Sequence, residues 1–202
     1  MYGCGNSFTV QHALDCKKDG LTKKGHNDVR DNDVCLAEEA WGWVTVEPVP
    51  VPEDDCTGHT ALQADCCVQG VWEGSRVTFF DNRIIDADAP SYLSSNLSWE
   101  AAAKRALTEK KKKYASVVEE LCGSITPLGC STDCVLQTEY TAYQRRLASR
   151  LAAKWEKPFS TVMAWVRVKT QFSIIRAVDL RLRGRRQRLS GTRVDEGIAH
   201  LV

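Results

Sequence analysis

No stretch of the 202 residues approaches eighteen consecutive apolar positions, so nothing in the sequence is built to span a bilayer as a helix. The opening residues, Met-Tyr-Gly-Cys-Gly-Asn, contain no apolar run of the kind a secretory leader needs. The expectation is a nuclear or cytoplasmic protein, neither secreted nor membrane-bound. Net charge is nearly absent as well, at +1. That neutrality is a cancellation between two halves. Residues 1–99 carry 7 Lys/Arg against 16 Asp/Glu, a net of −9, and residues 100–202 carry 20 against 10, a net of +10. A basic half suits a polyanionic partner, although solvated helix faces produce the same split.

Cysteine, by contrast, is plentiful. There are nine: Cys4, Cys16, Cys35, Cys56, Cys66, Cys67, Cys122, Cys130 and Cys134. An odd number without a leader fits reduced thiols better than a disulfide framework. The length fits one domain, or one domain with a small appendage, and a chain of about 150 residues already buries roughly 70% of its unfolded surface.

The patterning predicts an α/β protein. Residues 1–20 are polar and irregular, and residues 22–41 read as an amphipathic helix with Val29, Cys35, Leu36 and Ala40 on its apolar face. Residues 43–47 alternate like a strand and stop at Pro48, Pro50 and Pro52. A second strand is expected near 62–69 and a third over Val77–Ile85, with Gly70 and Gly74 bracketing the turn between them. Asp86–Asn96 reads as loop. Ser98 is a candidate N-cap for a helix reaching about Leu121, a fourth strand fits Ser124–Ser131, and two helices fit 137–155 and 159–184 around Lys157-Pro158. In the last helix the apolar set is Val162, Trp165, Val166, Phe172, Ile175 and Val178.

The chemistry concentrates on two acids. Asp65 lies in Ala-Asp-Cys-Cys-Val and Asp81 in Phe-Phe-Asp-Asn-Arg-Ile-Ile, each tied to a strand-like run. Mg²⁺ prefers hard oxygen ligands and keeps several waters, so one or two carboxylates suffice to hold it. Asp81 and Arg83 are two apart on one strand and share a face. A metal held there lowers the pKa of its water and offsets phosphate charge, while a positive side chain steadies the attacking hydroxide. The competing reading is a strand-end aspartate beside a surface Asp81–Arg83 pair. Lys110 and Lys113 share one face of the following helix, and Lys104 and Lys111 another, so one face can reach a site while the other meets solvent or phosphate. Cys4, His12 and Cys16 make most of a zinc knuckle, with Tyr2 where another cysteine would complete it. The carboxy-terminal arginines, among them Arg176, Arg181, Arg183, Arg185, Arg186, Arg188 and Arg193, suit a phosphate backbone or an import-type patch.

In order, these pieces resemble the C-terminal region of non-LTR retrotransposon polyproteins, where a CCHC knuckle precedes a restriction-like, PD-(D/E)XK-type endonuclease. The stretches that carry the resemblance are Cys4-Gly5, Gln11–Cys16, Gly25–Asp31, Glu47-Pro48, Ala64-Asp65, Phe80–Ile84, Glu109–Tyr114, Gly123–Leu128 and Ser160–Arg167. The resemblance implies a restriction-endonuclease-like core of α-β-β-β-α-β order, a small mixed sheet flanked by helices, with extra C-terminal helices. It divides the chain into an incomplete knuckle (1–20), a nuclease core (21–131), a helical extension (132–184) and a basic tail (185–202).

It further implies a Mg²⁺- or Mn²⁺-dependent DNA endonuclease that nicks target DNA to expose a 3′ hydroxyl for primed reverse transcription. Asp65 and Asp81, with Glu47, are the implied metal ligands, and Lys110 or Lys113 positions the water. Cys4, His12 and Cys16 are the implied Zn²⁺ ligands. His26, Asn27, Arg83, Arg181, Arg183, Arg185 and Arg186 are expected against DNA or RNA, and the reverse transcriptase is the missing partner domain. Ala64 stands where the family has proline, Tyr2 where the knuckle has cysteine, and residues 129–138 depart from the expected glycine-rich segment. These departures suit a fragment or degenerate copy, so a catalytically dead nucleic-acid-binding remnant is the alternative expectation.

Overall fold

Thr9 accepts a hydrogen bond from the His12 amide (3.1 Å) and so caps a first helix, α1, over Val10–Asp15. The computed structural model, which describes residues 9–16, 20–50, 63–86, 88–89 and 98–184, thus holds a helix inside the segment that reads as irregular. Burial explains it: Ala13 and Leu14 leave solvent as α1 packs on the last helix, α5 (Phe159–Gly184).

Helix α2 (Leu21–Trp41) starts after Gly20 (φ 72°) and stops at Gly42 (φ 90°), positive φ values that glycine adopts without penalty. Val29, Leu36 and Ala40 are buried as the periodicity predicts, together with Val34 and Ala37. Cys35 is exposed, because it lies about 100° round the helix from Leu36 and falls outside the buried stripe.

Four strands form one mixed sheet in the order β1 (Val44–Val46), β2 (Cys66–Gln69), β3 (Val77–Ile85), β4 (Gly123–Ser131). The first three pair antiparallel, and Gly70 (φ 79°) turns β2 into β3. Strands β3 and β4 are parallel, from Val77↔Gly123 to Ile85↔Ser131. Parallel neighbours need a crossover, and α3 (Trp99–Glu120) supplies it. Helices α4 (Thr138–Trp155) and α5 complete the fold. The element order α-β-β-β-α-β and the mixed α/β class match the expectation from sequence.

The pleat of β3 sends Phe79 and Phe80 to opposite faces. Phe80 joins Leu128, Tyr140, Tyr143, Leu147 and Ile174 in a large core beneath α2, α4 and α5. Phe79 joins Ala64, Tyr114 and Val118 in a small cluster beneath α3. Helices α4 and α5, in the expected helical extension 132–184, share this core with the sheet. Helix α5 also departs from the expected apolar set. Val162 and Val166 are buried, but Trp165, Phe172 and Ile175 are exposed, while Thr170, Ser173 and Ile174 face inward. Close approach to α2 explains the small inward residues: a Cβ on Gly25 would meet Ala177 at 3.1 Å.

Among the described residues, no helix is long and apolar enough to cross a membrane. Cys35, Cys66, Cys67, Cys122, Cys130 and Cys134 carry free thiols. Burial pushes the Cys66 and Cys130 thiols well up, which keeps them protonated and inert.

Candidate active site

The ladder sets Val46 across from Cys66 and Cys66 across from Phe80. Next in the chain to these positions stand Glu47, just after β1, Asp65, just before β2, and Asp81, within β3, a row of three acids along the backbone. Backbone bonds hold the row in place. The Glu47 amide donates to the Asp65 carbonyl (2.9 Å), and the Asp65 amide donates to the Phe80 carbonyl (3.0 Å). Asp81 shares the face of Phe79, the side covered by α3. It is buried, at 5% exposure. The buried Tyr114 phenol on α3 donates to the Gln63 carbonyl at 2.6 Å. Burial, then the charges of Asp81 and Asp65, push that phenol up to about 12.

The Asp65 carboxylate is held from the opposite side. Its Oδ2 accepts from the Asn82 backbone N–H at 2.5 Å and lies 3.3 Å from His26 Nε2. The same imidazole nitrogen sits 3.0 Å from the Asn82 carbonyl oxygen. Burial alone would lower the His26 pKa. The Asp65 carboxylate outweighs it, with help from the Asn82 carbonyl and the Asn27 side chain, and the net shift is upward. His26 and Asn27 thus lie beside Asp65, where Asn27 supports the imidazole. Glu47 is turned to the Arg30 guanidinium, which also holds Asp31 at 2.8 Å. Burial disfavours the Arg30 charge, but Asp31 and Glu47 more than compensate and its pKa rises. Glu47 is thus engaged by a cation from α2.

Behind this end of the sheet lies a group the sequence reading does not single out. Asp33 is buried, and its Oδ2 accepts from Asn82 Nδ2 and from the Tyr140 hydroxyl, each at 2.6 Å. Burial pushes its carboxyl up to about 7, against the pull of those two donors. His26, Arg30 and Asp33 follow the i, i+4, i+7 period, so one polar stripe of α2 faces the sheet end. That stripe was the available signal. It sits beside the buried Val29 and Val34, where a merely solvated stripe would not.

The remaining candidates fall elsewhere. Arg83 lies two residues beyond Asp81, and its guanidinium is 3.8 Å from Glu109 on α3 rather than paired with Asp81. Lys110 and Lys113 belong to α3, but their side chains lie outside the described residues. Arg181 is buried at 4% exposure, which withdraws it from any nucleic acid. Arg183 is exposed and pairs with Asp179 at 2.7 Å. Arg185, Arg186 and Cys4 lie outside the described residues. His12 and Cys16 meet at the end of α1, where the Cys16 amide donates to the His12 carbonyl at 2.9 Å. Among the described residues, no group of three His, Cys, Asp or Glu side chains is placed to hold a metal ion.

Asp65 and Asp81 nevertheless suit a hard divalent cation by their chemistry. Two carboxylates offer oxygen donors without a soft ligand, and Mg²⁺ is commonly bound by one or two carboxylates with waters completing its shell. The chain matches no protein-family model and no curated protein.

Proposed function

We propose that this protein is a Mg²⁺-dependent DNA endonuclease with a restriction-endonuclease-like core, from a retrotransposon-type polyprotein whose reverse transcriptase lies in another segment. The observation that carries the reading is that Asp65, just before β2, and Asp81, within β3, follow one another across neighbouring strands, tied by the Asp65 amide to the Phe80 carbonyl. The supporting pattern is the element order α-β-β-β-α-β with a parallel β3–β4 pair, and the lysine-dense sequence of α3.

Asp65 and Asp81 would hold the metal, which when bound supplies an activated water and offsets charge on the scissile phosphate. The protein's own groups set the stage. The Asn82 amide and His26 fix Asp65 Oδ2. Tyr114 stays neutral and donates to the Gln63 carbonyl, two residues before Asp65 in the chain. Lys110 or Lys113, one turn along α3, is assigned to positioning the attacking hydroxide, and Arg83 to phosphate contact. Arg183 and the basic residues beyond it are assigned to the DNA backbone. Supercoiled plasmid incubated with the protein and Mg²⁺ should be nicked, and both chelation and Asp81→Ala should abolish nicking. Nicking that survives Asp81→Ala would overturn the assignment.

A second reading is a nucleic-acid-binding domain without catalysis. The Arg30–Glu47 ion pair favours it, because that pairing leaves two acids where three were expected to share an ion. That protein would bind DNA or RNA with a steep salt dependence and no metal requirement.

A further inference from the structure

The Asn82 peptide touches the site with both of its polar groups. Its N–H donates to Asp65 Oδ2 at 2.5 Å, and its carbonyl lies 3.0 Å from His26 Nε2. A peptide that bonds a carboxylate on one side and an imidazole on the other fixes the distance between them. What fixes that peptide is the Asn82 side chain, which points to the opposite face of β3 from Asp81. There it is buried, and its Nδ2 donates to Asp33 at 2.6 Å. Asp33 is in turn held by the Tyr140 hydroxyl from α4, also at 2.6 Å. The two donors come from different elements and converge on one oxygen, so Asp33 cannot shift without breaking a buried bond.

An apolar residue would fill this position in an ordinary core. Burying a carboxylate is expensive, and an apolar replacement of similar shape is often neutral or stabilising. The helix spends its core-facing position on an acid, and the neighbours of that acid lead straight to the catalytic row. We propose that Asp33 is a positioning residue: through the Asn82 carboxamide it sets the peptide that aims Asp65 and His26 at the reacting centre. The inference rests on the endonuclease reading for the purpose of the site, but the linkage itself is a property of the folded chain. Asp33 makes no hydrogen bond to Asp65 or His26; its bonded link to them runs through Asn82, and Asp33→Asn separates that link from the charge Asp33 shares with Asp65.

The test uses the full chain and two readouts. The first is the backbone amide proton of Asn82 by NMR in metal-free protein, where a short charge-assisted bond to a carboxylate moves the signal downfield. Asp33→Leu should move it upfield. Asp33→Asn keeps an acceptor oxygen in the same place and should leave it near the wild-type position. Asn82→Ala removes the same anchor from the other end and covers the case in which Asp33→Leu does not fold. In that variant the amide of residue 82 should likewise move upfield, and the His26 ring signals should shift with it. The second readout is plasmid nicking with Mg²⁺. Asp33→Leu should lower kcat by about ten- to a hundredfold with little change in KM, the scale of a misplaced reacting group, and Asp33→Asn should restore most of it.

An Asn82 amide that stays in place in Asp33→Leu and in Asn82→Ala would overturn the proposal. So would equal effects of Asp33→Leu and Asp33→Asn, since charge rather than anchoring would then be the cause. If wild-type protein does not nick DNA, the endonuclease reading falls, and the amide signal still decides the linkage.

Discussion

The two faces of the sheet are built differently. The face under α2, α4 and α5 carries the large core, with Phe80, Leu128, Tyr140, Tyr143 and Leu147 fully or almost fully buried. The face under α3 carries a small cluster around Phe79, Tyr114 and Val118, and Asp81 shares that face. The large core can afford a buried polar network, Asp33–Asn82–Tyr140, because apolar contacts surround it. The small face has little core to lose, and its residues are available for chemistry. On the proposed reading, the core that holds the fold and the acids assigned to catalysis are largely separate, and Asn82 joins them.

The separation should break most visibly at Leu147. This side chain is fully buried, and Leu147→Ala should cost about 2–5 kcal/mol, measured by chemical denaturation. Nicking per folded molecule should change little. A loss of activity without a loss of stability would contradict the division of labour.

The pH dependence of stability should follow next. The folded-state value for Asp33, about 7, lies above the ordinary 3.8. Folded protein therefore keeps a proton that the unfolded chain releases. The contribution of Asp33 is complete below about pH 4 and declines as pH rises toward 7, by roughly 1 kcal/mol per pH unit across that window. His26 is also raised by Asp65, so its contribution is lost as pH rises through its folded-state value, in the same direction. Denaturation curves between pH 5 and pH 7 should show the fall, and Asp33→Asn should flatten it.

Gly25→Ala should cost about 1–3 kcal/mol, because a Cβ there meets Ala177 at 3.1 Å and the α2–α5 contact must open. A neutral result in thermal melts would mean that the two helices are free to move apart. Tyr114→Phe should be the mildest, about 1 kcal/mol for the lost bond to the Gln63 carbonyl. A larger effect on nicking than on stability would place the phenol in the reaction rather than in the packing.

Much of this architecture is legible in the sequence. Strand β3 and helix α5 have the bounds the pattern predicts, Val77–Ile85 and 159–184, because turn glycines and Lys157-Pro158 punctuate them sharply. Asp65 and Asp81 are legible as a pair because each sits at the edge of an apolar run. What surrounds them is not. Asp33 and Arg30 read as solvent-facing residues of an amphipathic helix, since a polar side chain in a core stripe is recognisable only once its partners are known. Those partners, Asn82, Tyr140 and Glu47, are 49, 107 and 17 residues away. In α5 the apolar residues run around the helix, so the period does not say which side is buried; the approach of Gly25 to Ala177 decides it. Helix α1 is short enough that one capping bond and two buried side chains outweigh its weak periodicity.

The central claim is that Asp65 and Asp81 form one divalent-cation site at the α3-facing end of the sheet. Titration with Mn²⁺, followed by paramagnetic broadening of backbone amide signals, tests it most directly. The account predicts that Asp65, Asp81 and Asn82 broaden first and together, and that Asp81→Asn removes the effect without unfolding the protein. Broadening that begins elsewhere, or persists unchanged in Asp81→Asn, would contradict it.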